Sequence, residues 1–178
     1  MDVMIDIETL STKPEAVVLS VGAVKFNMQD EPVQKIHWRL SIDEQTEADR
    51  DISNDTLEWW AKQDLAVRAE VFSEDNRISV PEFFKQLNRY VTGCDKIWCQ
   101  GPQFDLVIIE NLYRQFEHHW NWQYWQVMDS RTLFQVMKHF NFEDPRKGVQ
   151  QDLHNAAEDA YWQAIGVQKM YSAIGKNL

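Results

Sequence analysis

Residues Ala16 to Phe26 leave this chain few choices of architecture. Read as a strand, with side chains alternating between faces, they place Val17, Leu19, Val21 and Ala23 on one side and Val18, Ser20, Gly22 and Val24 on the other. Both sides are apolar or small. Such a strand needs cover on both faces, so it belongs well inside a sheet. Two further strands flank it. Residues 2–7 put Val3, Ile5 and Ile7 on one face. Lys35 to Leu40 alternates, with Ile36, Trp38 and Leu40 inward and Lys35, His37 and Arg39 outward. The turns between them, Thr12-Lys13-Pro14-Glu15 and Asn27 to Pro32, are short. Three strands joined in this way form an antiparallel meander.

The rest of the chain changes character. Residues 41–55 are polar and acidic and are expected as a loop. Asp55 with Glu58 reads as a capping box opening a short helix through Trp59 and Trp60. A second helix covers Leu65 to Phe72. Ser79 followed by Pro81 starts another, which Gly93 stops. Lys96 to Cys99 is a short strand, and Gly101-Pro102 opens a helix with Leu106, Ile109, Tyr113 and Phe116 on one face. Val127-Met128 reads as a last strand, 130–139 as a helix and 141–152 as a polar loop. A final helix runs from about Ala156 to Ala173, with Ala156, Ala160 and Ala164 as a small-residue stripe for close packing. A meander followed by alternating helices and short strands describes an α/β domain with a mixed sheet. One domain over residues 1–178 is expected.

Composition narrows the function. Net charge is −10, a poor match for a polyanion, because nonspecific affinity for nucleic acid comes from Lys and Arg neutralising phosphates. This argues against a protein that merely coats DNA. It leaves room for an enzyme whose acids hold cations that supply the positive field. Cys94 and Cys99 have no partner cluster of the four ligands a zinc site needs, so they read as buried free thiols, which suits a reducing compartment. No signal peptide or membrane-spanning run is expected, which points to a cytoplasmic protein without a membrane partner.

Met4-Ile5-Asp6-Ile7-Glu8-Thr9-Leu10 carries the chemistry. Asp6 and Glu8, two apart on a strand, leave the sheet side by side. Their repulsion raises each other's pKa, and a divalent cation between them removes that cost. Alone, the pair also describes a surface strand with two solvated acids. Asp105 follows the 96–99 strand at its carboxyl end, where open α/β sheets place their sites, although a first-turn Asp also suits the helix dipole. At the last helix, Asn155 with Glu158 fits a cap and its third helical position. His154 then precedes the cap and Asp159 is the fourth helical residue, positions that approach one another across a helix start.

Together these segments resemble the DEDDh 3′–5′ exonuclease superfamily, which includes proofreading subunits, RNase T and oligoribonuclease. The resemblance rests on D-I-E-T-L at 6–10, F-D at 104–105 and H-N-A-A-E-D at 154–159. The middle motif departs from the common form, since Gly101 stands where that form has Asn four residues before the Asp. Thr56 to Trp60 and Asp129 to Leu133 look like the RNase T-like exonucleases of phages, prophages and some bacteria.

The resemblance implies a ribonuclease-H-like fold, a five-stranded mixed sheet flanked by helices. It implies two Mg²⁺ or Mn²⁺ ions, about 3.5–4 Å apart in sites of this kind. Asp6 would bridge them, Glu8 and Asp159 would complete the nucleophile-side ion and Asp105 would hold the leaving-group ion. His154 would be the general base. The partners implied are single-stranded DNA or RNA 3′ ends, with nucleoside 5′-monophosphates as products. Ile7 and Thr9 would touch the terminal nucleotide through backbone, Leu10 would wedge against its bases, and Phe104 would stack or serve the core. Arg146 and Lys147 would reach phosphates or form a solvated loop. Of Trp59, Trp60, Trp122 and Trp125, most are expected in the core. Related RNase T-like enzymes often pair, so a homodimer is compatible. Three other readings remain: an inactive nucleic-acid-binding relative, an RNase-H-like endonuclease, and a structural metal-binding protein. The last gives His154 no task.

Overall fold

The computed structural model describes residues 1–29, 34–139, 142 and 154–175. The chain opens with β1 (Asp2–Thr9), β2 (Val18–Phe26) and β3 (Gln34–Leu40). Three helices follow: α1 (Ile42–Glu47), α2 (Asn54–Ala61) and α3 (Leu65–Val71). Then come β4 (Arg77–Ile78), α4 (Val80–Val91), β5 (Ile97–Cys99), α5 (Asp105–Gln115), β6 (Val127–Asp129), α6 (Ser130–Lys138) and α7 (Ala156–Gly175). The meander is antiparallel as expected, with Asp6 opposite Gly22 and Val21 opposite Trp38. β4, β5 and β6 join it as parallel neighbours. The sheet order is β4-β3-β2-β1-β5-β6, which puts β1 and β2 at the centre.

The sheet has six strands among the described residues, one more than the five expected. The addition is β4, whose two residues are too few to show any alternation. A side chain secures it instead. The Arg77 guanidinium donates to the carbonyls of Leu19, Leu40 and Val71 at 2.9–3.1 Å. The expected loop over 41–55 also contains α1, capped by the Ser41 hydroxyl at the Glu44 amide. α1 is held by one glutamine rather than by an apolar stripe. Gln45 is fully buried, accepts from the Val18 amide at 2.8 Å and donates to the Val18 carbonyl at 2.9 Å. α2 starts at Asn54 after Ser53, so the expected box at Asp55 does not form. The Ser79 cap behaves as read, accepting from the Glu82 amide at 3.3 Å.

Each face of the sheet has its own cover. Val3, Ile5 and Ile7 of β1 pack with Phe83, Phe84 and Leu87 of α4 and with Ile109, Leu112 and Tyr113 of α5. Met4 and Val24 face the other way, onto Phe134 of α6 and Ala160, Ala164 and Val167 of α7. The alanine stripe lets α7 approach closely. A Cβ on Gly22 would stand 2.1 Å from the backbone of Ala156. A third, smaller cluster joins Leu10, Val17, Leu19, Trp60 and Val71 under α2 and α3. Of the four tryptophans considered above, Trp60 and Trp122 are core, whereas Trp59 is 41% and Trp125 60% exposed. Cys94 and Cys99 are free and buried. Among the described residues, no helix is long and apolar enough to cross a membrane.

Candidate active site

The site forms where β1 ends. Asp6 and Glu8 follow Met4 on the strand face turned to α7, and the pairing register shifts between Glu8 and Thr9. Such an irregularity bends a strand and re-aims its end. Here the chain leaves the ladder just past the second acid. Thr9 is then fastened on both sides: its hydroxyl donates to the Ser11 carbonyl at 2.7 Å, and its carbonyl accepts from the Trp60 indole at 2.9 Å.

α7 delivers the third acid. Asn155 is its cap, with a side-chain oxygen accepting from the amides of Ala157 at 3.1 Å and Glu158 at 3.2 Å. Glu158 does not reach back to close a box; it pairs with Lys35. His154 precedes the cap at φ +66°, a left-handed conformation that turns the chain sharply into the helix. Asn155 also donates to Glu70 of α3 at 2.6 Å, and Glu70 lies 3.6 Å from Arg39 of β3, which ties this helix start to the body. With α7 so placed, Asp6, Glu8 and Asp159 bring one carboxylate oxygen each within 4.8 Å of one another.

Asp105 stands outside that trio but adds to its field. It is 6% exposed at the first position of α5 and takes a hydrogen bond from the Ile7 amide. Burial holds its carboxyl well above the usual range, against the pull of this bond and of the Arg131 charge. Arg131 also explains the departure at Gly101. Its guanidinium donates to the Gln100 carbonyl at 2.7 and 3.0 Å, and its Nη2 would lie 3.1 Å from a Cβ on Gly101, which sits at φ +149°. Glu8 feels the whole group. Burial first, then the charges of Asp6, Asp159 and Asp105, push it up to about 10 from 4.5. The donors are all carboxylate oxygens, the chemistry of Mg²⁺ and Mn²⁺. A divalent cation would relieve the repulsion that keeps Glu8 protonated.

A cleft of about 430 Å³ opens beside the acids. Ile7, Glu8, Thr9 and Phe104 line it, as do Ser53, which precedes α2, and Asp55, Thr56, Trp59 and Trp60 of α2. His154 is neither among the residues that line it nor part of the acid trio; it stands behind the tryptophans that do line it. Its ring meets the edges of Trp59 and Trp60 at centroid distances of 4.8 and 5.9 Å, and burial lowers its pKa. Leu10 is 4% exposed within the small cluster under α2 and does not line the cleft. Arg146 and Lys147 fall outside the described residues. Reading from sequence passed over Ser53 and gave no site role to Thr56 or Arg131, although the stretches that hold them carry part of the resemblance; their places depend on distant chain segments. It also passed over Gln163, which a signal could have found: it lies four residues after Asp159, on the same side of α7.

Known proteins share this fold. The structure of Exonuclease X in complex with 5′ overhanging duplex DNA matches with TM-score 0.60 and 14% identity, over 98% of this chain and 93% of that one. Cell-death related nuclease 4 matches with TM-score 0.67 and 12% identity, over 97% and 64%. The nuclease domain of 3′hExo, a DEDDh family member bound to rAMP, matches with TM-score 0.59 and 13% identity, over 97% and 92%. The fold is therefore ribonuclease-H-like.

The chain belongs to the Rv2179c-like 3′-5′ exoribonuclease domain family, whose model matches residues 1–171. Family and fold together put it in the DEDDh exonuclease superfamily. It is also 24% identical over 129 residues to the exodeoxyribonuclease of Enterobacteria phage T4, a match covering 65% of this chain and 57% of that enzyme.

Proposed function

We propose that this protein is a divalent-metal-dependent 3′–5′ exonuclease that hydrolyses single-stranded DNA or RNA from the 3′ end and releases nucleoside 5′-monophosphates. The observation that carries the reading is the convergence of Asp6, Glu8 and Asp159 within 4.8 Å, beside a cleft lined by Glu8 and by Trp59, whose ring His154 meets. The exoribonuclease description of the family and the exodeoxyribonuclease activity named for the phage relative support the same reaction on two sugars.

Two Mg²⁺ or Mn²⁺ ions, when bound, supply the charge that stabilises the phosphoryl oxygens during displacement. Asp6, Glu8 and Asp159 would hold one and Asp6 and Asp105 the other. The protein supplies the rest. His154 takes the proton from the attacking water as that water's oxygen bonds to phosphorus. The phosphorus–oxygen bond to the preceding nucleotide's 3′ oxygen breaks; that oxygen departs with the shortened strand and takes a proton from water to become its new 3′-hydroxyl, and the terminal nucleotide is released with its 5′-phosphate. The lowered pKa of His154 keeps it neutral and able to accept near pH 7. Ile7 and Thr9 border the cleft where backbone can contact the terminal nucleotide. Trp59, half exposed there, offers its ring to a base. Base stacking of this kind contributes about 1–3 kcal/mol and tolerates any sequence. Phe104, which directly precedes Asp105, adds an aromatic ring to the lining of the cleft.

The test uses single-stranded DNA and RNA, each labelled at the 3′ or the 5′ end, with Mg²⁺ or with EDTA. The 3′ label is expected in mononucleotide from the first time point, while the 5′ label descends as a ladder. EDTA should stop both and Mg²⁺ restore them. Chelator-resistant turnover, or internal fragments without mononucleotide, would refute the reading.

A further inference from the structure

Gln163 is only 5% exposed, lies one turn after Asp159 on α7, and points its amide at the acids. Its Nε2 donates to Oδ1 of Asp6 at 2.8 Å. Its Oε1, on the same rigid amide, is buried and has no hydrogen-bond partner among the described residues. A buried acceptor without a donor is costly, and most side chains avoid it. Turning the amide over does not help, because it would set two oxygens against each other. The orphaned oxygen is therefore a consequence of how Asp6 is held.

We propose that Gln163 is a positioning residue of the cation site. Its donor fixes the Asp6 carboxylate, and its acceptor receives a hydrogen from a water held beside that carboxylate when a divalent cation is bound. The inference rests on the metal-dependent reading above and extends it to one residue outside the acid set. Two physical reasons support it. Mg²⁺ gives up its waters reluctantly, so a site of few carboxylates needs further acceptors for those that stay. Carboxylates that hold metals are themselves hydrogen-bonded, and removing such a support weakens metal affinity or activity by about 10–100-fold.

The experiment is a Mn²⁺ titration followed by the magnetic resonance signal of the free ion, beside the thermal midpoint in EDTA. Gln163→Met keeps the length of the side chain and removes both polar groups. Its Mn²⁺ affinity should fall by about 10–100-fold, with a midpoint in EDTA equal to or above that of the parent protein. Unchanged affinity, or a lowered EDTA midpoint with unchanged affinity, would overturn the proposal and leave Gln163 a structural residue. If Gln163→Met does not fold, Gln163→Ala, which cannot overpack, carries the same affinity comparison. Failure of the parent protein to bind Mn²⁺ would overturn the metal-dependent reading itself. Binding by the parent with equal binding by the variants would overturn only the role of Gln163.

Discussion

On one side of β1, Val3, Ile5 and Ile7 meet the large aromatic side chains of α4 and α5. On the other, Met4, Asp6 and Glu8 meet α7, whose inner stripe is alanine. The first side is filled by volume. The second is covered at close range by small side chains, which leaves α7's polar residues free to reach the acids. One strand thus separates two tasks by parity alone. Odd positions hold the molecule together, and even positions beyond Met4 carry charge that folding does not need. The contrast teaches that cost and function are also divided: burying like charges destabilises the second side, and the first side offsets it.

Substitutions on adjacent residues of β1 can break this division. Asp6→Ala should abolish hydrolysis, read as mononucleotide release. The EDTA unfolding midpoint should stay level or rise, because a repelling charge is gone. Retained turnover would remove Asp6 from the site. His154→Ala should slow hydrolysis by about 10²–10⁴-fold with Mn²⁺ affinity nearly kept; an unchanged rate would end its role as base. Ile5→Ala, on the opposite parity, should cost about 2–5 kcal/mol of stability, measured by chemical denaturation. Its turnover per folded molecule should match that of the parent. A selective loss of turnover would show that the two sides are not separable.

The smallest effect concerns pH and sharpens the electrostatic half of the comparison. Glu8 titrates near 10 in the folded, metal-free protein and near its ordinary 4.5 when unfolded. Between those values the folded state binds more protons, so stability is greatest at the acid end and falls as pH rises. The midpoint in EDTA should therefore drop from about pH 5 to about pH 9, and Mg²⁺ should flatten that slope. An EDTA profile without a decline would show that neither burial nor the neighbouring acids raise Glu8.

The parts of this arrangement that were legible in sequence are those set by short-range periodicity. Alternation placed Asp6 and Glu8 side by side, the Asn155 cap located the start of α7, and the alanine spacing announced its close approach. Long-range partners were not legible. β4 is too short for alternation and exists because Arg77 finds three carbonyls from other elements. α1 looked like loop because its anchor is a glutamine, Gln45, whose partner lies 27 residues away. Trp59 and Trp60 both line the cleft, yet one is 41% exposed and the other is buried in the core, which no local pattern distinguishes. Gln163 reads as an ordinary helical residue until Asp6, 157 positions earlier, is set beside it.

Gly22 is the Cα partner of Asp6 across the β1–β2 ladder and also the point where the backbone of Ala156 comes to rest. The missing side chain acts as a depth stop. It sets how far the last helix sinks toward the sheet at the same rung from which the first acid projects. Asp159, three residues further along, is thereby gauged against Asp6 by the backbone approach at Ala156. A methyl group at this rung would lift the helix, and the acids would part company in a protein whose every catalytic residue was intact.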